Sequence, residues 1–182
     1  MTRAFVAVSL PDAVLDAVAA RAAGVTIPGR PTTREQWHVT LQFLGNRADV
    51  DAVAAALSGL PAAGGTARLG GAGAFPRPAR ASVLWVGFVD GGAVMQRLAD
   101  AVMERTEALG HERESRPYQP HLTLARCRTP TDMRPVIAAL GDAAFGPAWT
   151  IDTLTVYESK TQRDGAQYTP RATIALAPDS AR

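Results

Sequence analysis

The pattern of apolar and polar positions predicts that strands and helices alternate along the chain. Phe5–Leu10 alternates apolar with small residues, as a half-buried strand does. Pro11 then opens a helix whose apolar positions recur every three or four residues and which ends at Gly24. A second strand is predicted over Trp37–Leu44, and Asp49 is placed to cap the helix that follows it. The chain thus begins with two strand–helix units.

The same order of elements returns in the second half of the chain. The further predicted strands are a weak one around Thr66–Ala72 and others at Ser82–Val89, Pro120–Ala125, Ile151–Tyr157 and Tyr168–Leu176, the last two separated by a turn at Gln162–Gly165. The further predicted helices run from Gly92 to Gly110 and over Thr131–Leu140. The first of these helices has Val94, Met95, Leu98, Val102 and Leu109 on one face. The order strand-helix-strand-helix-strand therefore occurs twice, in repeats of about residues 1–80 and 81–182, with one strand left over. Such a repeat predicts a single domain with an α+β fold of two pseudo-symmetric lobes.

A short motif marks the second strand of each repeat. His38-Val39-Thr40-Leu41 and His121-Leu122-Thr123-Leu124 lie 83 residues apart and share the order His, apolar, Thr, apolar. Both motifs are predicted to lie inside a strand, where side chains two residues apart point to the same face. Each histidine therefore shares a face with its threonine, while the apolar residues face the opposite way. If the repeats are related by pseudo-symmetry, the two polar pairs face each other across a cleft.

Two opposed His/Thr pairs suit the hydrolysis of a phosphodiester. One imidazole can take a proton while the other gives one, and threonine hydroxyls can donate hydrogen bonds to phosphate oxygens. A lone His-x-Thr is usually a half-buried structural pair, but this chain has only three histidines and two of them occupy equivalent positions. Threonine is a poor zinc ligand, and a single cysteine, Cys127, offers no thiolate cluster. The pattern therefore favours acid–base catalysis without a metal.

Composition narrows the class of protein further. The 182 residues carry a net charge of only +2, which excludes a histone-like binder of nucleic acid. The basic residues are 18 Arg and one Lys, which fits either a GC-rich genome or phosphate recognition by guanidinium groups. Because no apolar run approaches a membrane span and no signal peptide is evident, we expect a cytoplasmic protein without a membrane partner. A monomer is the default expectation.

These motifs resemble those of the 2H phosphoesterase superfamily. Within it, the chain is similar to the bacterial and archaeal RNA 2′,3′-cyclic phosphodiesterases, also called 2′–5′ RNA ligases. The resemblance covers nearly the whole chain and is carried by Phe5–Pro11, Trp37–Gly45, Val83–Gly87, Arg116–Arg126, Leu154–Ser159 and Tyr168–Pro170.

The resemblance implies antiparallel-sheet lobes around a central cleft, with the helices outside. It also implies that RNA or nucleotide 2′,3′-cyclic phosphates are opened to 2′-phosphomonoesters without a metal or other cofactor. In this scheme one motif histidine is the general acid and the other the general base. We assign the acid to His38 and the base to His121.

Four further residues are candidates for binding the substrate. Arg126 lies five residues after His121, where strict alternation would place it on the opposite face unless the strand register breaks. Phe75 lies in Gly70–Arg80, a stretch we expect to be a loop, and either stacks on a base or packs into the core. Arg116 and Tyr118 lead into the second motif and line the predicted cleft, although Tyr118 is equally suited to the core.

Two alternative functions stay open from the sequence alone. The same four motif residues could join or hydrolyse 2′–5′ linkages. An RNA-end-binding module without turnover is a different class of function, which the two intact His/Thr pairs disfavour. The glycine-rich stretches lack the Gly-Lys-Ser/Thr of a P-loop, so no requirement for ATP is expected. The natural substrate and its length are not encoded in any motif.

Overall fold

We describe the protein from a computed structural model, which covers residues 2–162 and 165–178. These residues form nine strands and four α-helices in an α+β arrangement, as predicted. The strands are β1 (Thr2–Val8), β2 (Arg30–Pro31), β3 (Val39–Ala48), β4 (Gly65–Arg77), β5 (Arg80–Asp90), β6 (Leu122–Thr131), β7 (Trp149–Ile151), β8 (Thr153–Gln162) and β9 (Gly165–Ala175). The helices are α1 (Asp12–Ala23), α2 (Val50–Leu57), α3 (Gly92–Glu107) and α4 (Arg134–Leu140), and Arg34–Gln36 form one turn of 3₁₀ helix.

The strands form one sheet whose order is nearly symmetrical about its centre. The order is β7-β4-β5-β6-β3-β1-β8-β9, every pair of neighbours is antiparallel, and β2 adds to the free side of β6. β3 and β6, the strands that follow the two histidines, meet in the middle. One half of the sheet is therefore β7-β4-β5-β6 and the other is β3-β1-β8-β9.

The two halves of the sheet do not coincide with the two halves of the sequence. The first repeat supplies β1, β3 and β4, and the second supplies β5, β6 and β8. However, β4 pairs with β5 of the second repeat, and β8 pairs with β1 of the first. The third strand of each repeat, β4 or β8, thus pairs with a strand of the other repeat. Each lobe is therefore built from strands of both repeats, and we call this arrangement an exchange of the third strands.

The helices bury the apolar faces that the periodicity predicts. The Asp49 carboxylate accepts a hydrogen bond from the Ala52 N–H and so caps α2, as expected. Met95, Leu98 and Val102 of α3 are fully buried. The prediction for Leu109 is wrong, because α3 ends at Glu107 and the Leu109 side chain is 42% exposed.

Several predicted boundaries differ from the structure. The expected loop at Gly70–Arg80 is wrong, since β4 continues to Arg77 and pairs with β5 as a long hairpin. The glycines of this stretch suggested a loop, but Gly73 instead leaves space for the indole ring of Trp85, which a Cβ at this position would overlap. β6 continues to Thr131 rather than ending at Ala125, and α4 consequently begins only at Arg134.

Two further points concern the ends of elements and the surface. The predicted turn at Gln162–Gly165 joins β8 to β9, where those two residues pair, and residues 163 and 164 lie outside the described part of the chain. Among the described helices, none has the length and apolar character that crossing a membrane requires.

Candidate active site

The two halves of the sheet meet at a single pair of residues, and the motifs surround that pair. Val39 of β3 pairs with Leu122 of β6, and both side chains are completely buried. In an antiparallel pair, the residues on either side of such a pair point to the opposite face. Four partly exposed polar side chains therefore share the face opposite the core: His38, Thr40, His121 and Thr123.

The prediction that both histidines lie inside strands is wrong by one residue. His38 immediately precedes β3 and His121 immediately precedes β6. Each imidazole is thus attached where its strand enters the sheet, at the seam between the two lobes. The predicted sharing of a face by His and Thr is confirmed, because Leu41 and Leu124 on the other face are buried.

A β-bulge brings Arg126 onto the face of the motif residues. β6 pairs Leu84 with Ala125 but Trp85 with Thr123, so one extra residue of β6 is accommodated there. Leu124 and Ala125 are consequently buried in succession, and the next side chain, Arg126, is exposed in the cleft beside His121. The register break that we considered from the sequence therefore occurs, and Arg126 faces the cleft.

An equivalent bulge in β3 exposes Phe43, which the sequence analysis missed. β1 pairs Ala7 with Thr40 but Val6 with Gln42, so Leu41 and Gln42 are buried in succession. Phe43 then emerges on the cleft face with 61% of its surface exposed. Phe43 follows His38 by five residues, as Arg126 follows His121. That shared offset was the signal in the sequence that could have identified it.

His38 lies in an aromatic pocket between β1, β8 and β9. Its ring stacks on Phe5, with 4.7 Å between centroids, and meets the edge of Tyr168 at 5.0 Å. The pKa of His38 is lowered to about 4, mainly by burial, and the nearby charges of His121 and Arg126 act in the same direction. A hydrogen bond with the backbone of Gln36 acts in the opposite direction. The imidazole is therefore neutral at pH 7.

His121 lies against aromatic residues of the other lobe. Its ring meets Phe75 edge-on at 5.0 Å and lies 6.1 Å from Trp85. Nδ1 is 2.7 Å from the carbonyl oxygen of Gln119, which can only accept, so Nδ1 carries the proton. Burial lowers the pKa of His121, the charge of Arg126 adds to this effect, and the hydrogen bond with Gln119 opposes it. Neutral His121 therefore has a free electron pair on Nε2.

Hydrogen bonds from neighbouring segments fix the backbone of both threonines. The Tyr118 hydroxyl donates to the carbonyl of Thr40 at 2.9 Å. The Thr32 hydroxyl lies 2.7 Å from the carbonyl of Thr123, on the other strand of the seam. Burial raises the pKa of Tyr118, so this hydroxyl remains a donor. Tyr118 was proposed to bind substrate or to join the core; the structure shows that it holds the first motif in place while lining the cleft.

Thr40, His121, Arg126, Phe43 and Tyr118 line a cleft with a volume of about 1250 Å³, whereas His38 and Thr123 are not among its lining residues. Phe75 and Arg116, both predicted from the sequence, also line it. Phe75 is half-buried in β4 against His121 rather than placed on a loop. Arg116 is exposed, and its guanidinium pairs with Glu114 at 2.7 Å, which lowers the pKa of that carboxyl to about 2. Arg116 therefore reaches the cleft with its charge already balanced.

Comparison with known proteins identifies the family. The chain matches the sequence model of the 2′-5′ RNA ligase superfamily over residues 11–163. This chain belongs to the 2′-5′ RNA ligase superfamily. The family expected from the two motifs is thereby confirmed.

Relatives in this superfamily are similar along most of their length. The RNA 2′,3′-cyclic phosphodiesterase of Thermus thermophilus is 30% identical, with 99% of this chain and 93% of the relative covered. That of Aeropyrum pernix is 29% identical, with 78% of this chain and 83% of the relative covered. The crystal structure of E. coli LigT in its apo form superimposes with a TM-score of 0.79 at 25% identity, covering 97% of this chain and 98% of LigT. The expectation of an enzyme agrees with the names of these relatives.

No group of three or more His, Cys, Asp or Glu side chains suited to a metal ion occurs within residues 2–162 and 165–178. The side chains that line the cleft include those of His121, Thr40 and Arg126 and the aromatic rings of Phe43, Phe75 and Tyr118.

Proposed function

We propose that this protein is a cyclic phosphodiesterase that opens RNA or nucleotide 2′,3′-cyclic phosphates to 2′-phosphomonoesters. The observation that supports the proposal most strongly is the placement of two His/Thr pairs and Arg126 on one face of the sheet seam. The names of the relatives support the same class of reaction.

In the proposed reaction, His121 is the general base. Its Nδ1 proton is held by the Gln119 carbonyl, so Nε2 can take a proton from water. The water oxygen bonds to phosphorus as this proton leaves. His121 is neutral at pH 7 because burial lowers its pKa, and it is ready to accept.

His38 is the general acid and completes the reaction. The bond between phosphorus and O3′ breaks, and the proton of His38 passes to O3′, which gives a free 3′-hydroxyl and a 2′-phosphomonoester. His38 must first be protonated, and the negative charge of the bound phosphate favours this by raising the low pKa of the free site. His121 then returns its proton through solvent, so the two histidines regain their starting states.

The remaining cleft residues act on charge and position in this proposal. Thr40 and Thr123 donate hydrogen bonds to the non-bridging oxygens, and Arg126 balances the charge that develops on them. Phe43 presents an exposed aromatic face on which a nucleobase can stack. Phe75 and Tyr118 shape the cleft, and Arg116 binds substrate only by exchanging its contact with Glu114.

Product analysis tests this proposal directly. The protein is incubated with adenosine 2′,3′-cyclic phosphate and with a short RNA that ends in a 2′,3′-cyclic phosphate, both in excess EDTA. We expect conversion of both to 2′-phosphates, and a loss of roughly 10²–10⁴-fold in kcat for His38→Ala and for His121→Ala. His111→Ala is the matched control, because His111 lies outside the motifs.

Other results would lead to different conclusions. A 3′-phosphate product would show that O2′ rather than O3′ is the leaving group, and it would contradict the roles assigned to His38 and His121. Binding of the RNA without any turnover would support the end-binding module instead. Joining of the cyclic end to a second RNA would indicate the 2′–5′ ligase reaction of the same site.

A further inference from the structure

Two arginines stand directly opposite each other at the edge of the seam. Arg30 of β2 pairs in register with Arg126 of β6, so both side chains point to the same face of the sheet. Both residues are exposed, and neither forms an ion pair with a carboxylate of residues 2–162 or 165–178. Like charges directly opposite each other in a sheet are destabilising. An anion between or beside them would relieve this repulsion.

The local structure holds Arg30 firmly in this position. The N–H of Thr32 donates to the carbonyl of Leu124 at 2.8 Å, and the Thr32 hydroxyl also reaches the carbonyls at the β6 bulge. Gly29 has a positive φ of 81° and lies so close to β6 that a Cβ there would overlap Cys127. β2 is thus built to lie against β6, and Arg30 is carried on a fixed backbone rather than on a free loop.

Arg30 lies further from the two motif histidines than Arg126 does. The charge of Arg126 lowers the pKa of both histidines, whereas Arg30 has no resolved effect on either. The Arg30 guanidinium extends instead towards the β8–β9 hairpin, where a Cβ on Gly165 would lie 3.0 Å from its Nη2. A phosphate held by Arg30 would therefore be a neighbour of the reacting phosphate and not the same group.

The opposite end of the cleft is less suited to an RNA backbone. There the lining includes Asp100, Glu112 and Glu114. The two arginines that line this end, Arg113 and Arg116, already form ion pairs. Arg113 pairs with Glu107 and Arg116 with Glu114. A polyanion would meet balanced or negative charge at that end, whereas Arg126, which also lines the cleft, and Arg30, which pairs with it in the sheet, form no ion pair with a carboxylate of the described residues.

We infer that Arg30 binds the phosphate on the 5′ side of the terminal nucleotide. This inference rests on the proposed function. It makes the substrate an RNA end, or a nucleotide that carries a 5′-phosphate, in preference to a nucleoside 2′,3′-cyclic phosphate. Arg30 is a binding residue for specificity and takes no part in proton transfer.

Three substrates and one pair of variants test the inference. The substrates are adenosine 2′,3′-cyclic phosphate, the same nucleotide with a 5′-phosphate, and a trinucleotide that ends in a cyclic phosphate. We expect wild type to favour the two substrates with the 5′-phosphate by about tenfold in kcat/KM, as one charge-assisted hydrogen bond allows. Arg30→Ala should remove this preference and leave kcat/KM for the first substrate unchanged. Arg30→Lys should restore part of it.

Arg47→Ala is the matched control. Arg47 is an exposed arginine near the far end of β3, so its removal lowers the net charge equally without touching the seam. Equal losses in both variants would show general electrostatic attraction and overturn the inference. A loss on all three substrates in Arg30→Ala would place Arg30 on the reacting phosphate, and no loss on any would remove its role. If wild type converts none of the three, the proposed function itself fails.

Discussion

Phe43 and Arg126 occupy equivalent positions in the two halves of the sheet. Phe43 pairs with Phe5 of β1, and Arg126 pairs with Val83 of β5, each just beyond a bulge that follows the motif threonine. A β-bulge at the equivalent position therefore exposes an aromatic ring on one lobe and a positively charged side chain on the other. The backbone is pseudo-symmetric while the exposed side chains differ, which suits the proposed substrate, a nucleotide with one base and one reacting phosphate.

Removing the aromatic ring of Phe43 should weaken substrate binding while leaving the fold intact. Its side chain is 61% exposed, so Phe43→Ala loses little buried surface. We expect an increase in KM of about tenfold for adenosine 2′,3′-cyclic phosphate, since stacking on a base is worth roughly 1–3 kcal/mol. Steady-state kinetics and thermal unfolding measure the two effects. Val89→Ala, at another exposed apolar residue, should leave KM unchanged.

Removing the charge of Arg126 should raise the pKa of both motif histidines. The guanidinium lowers both values, so Arg126→Ala takes away that contribution. Titration of the imidazole signals by NMR in the free enzyme would show the shift, and kcat should fall at least about a hundredfold because developing charge is no longer balanced. Arg128→Ala keeps an arginine at position 126 and serves as the control. Unchanged histidine titration in Arg126→Ala would contradict the geometry of the bulge.

Activity should increase as the pH falls below neutrality. The reaction needs one histidine protonated and the other neutral, and burial holds both pKa values below 6.5 in the free site. The singly protonated pair therefore becomes more populated as the pH is lowered from 8 towards 6. We expect kcat/KM to rise over this range with its maximum below pH 6.5, and the maximum of kcat to lie at higher pH because bound phosphate raises both values. A maximum of kcat/KM above pH 8 would refute this scheme.

The β3 bulge should depend on a buried contact with α3. The Thr106 hydroxyl lies 2.6 Å from the Gln42 side-chain oxygen, and both residues are buried. Thr106→Val leaves this oxygen without its donor and should lower the free energy of unfolding by about 1–3 kcal/mol. Denaturant unfolding measures the change, and Thr106→Ser should restore most of it. In the double variant Gln42→Leu with Thr106→Val the two losses should be less than additive.

Much of the site could be predicted because it depends on strand alternation alone. His38 with Thr40, and His121 with Thr123, share a face for the simple reason that they are two residues apart, and the recurrence of the motif supplied the pairing. Arg126 was undecided, since the bulge that turns it into the cleft arises from pairing between β5 and β6. Such pairing joins residues distant in sequence and leaves no local signal.

The errors have the same origin. Gly70–Arg80 contains glycines and prolines that favour a loop, yet pairing along β5 keeps it extended, and Gly73 makes room for Trp85. The position of Arg30 could not be predicted from the sequence, because a strand of two residues has no periodicity. The exchange of third strands between lobes is likewise invisible in the sequence, because an exchanged and an unexchanged strand have the same pattern.

This exchange determines how the chain can be divided. A break in the β4–β5 turn, between Pro78 and Ala79, would give two fragments that each carry one motif histidine but neither of which contains a whole lobe. The first fragment would hold β4 without its partner β5, and the second would hold β8 without β1. Each fragment would expose the sheet edges that the other covers. Catalysis would then be restored only when the two fragments are mixed. The topology therefore predicts fragment complementation, and it predicts that neither fragment is active by itself.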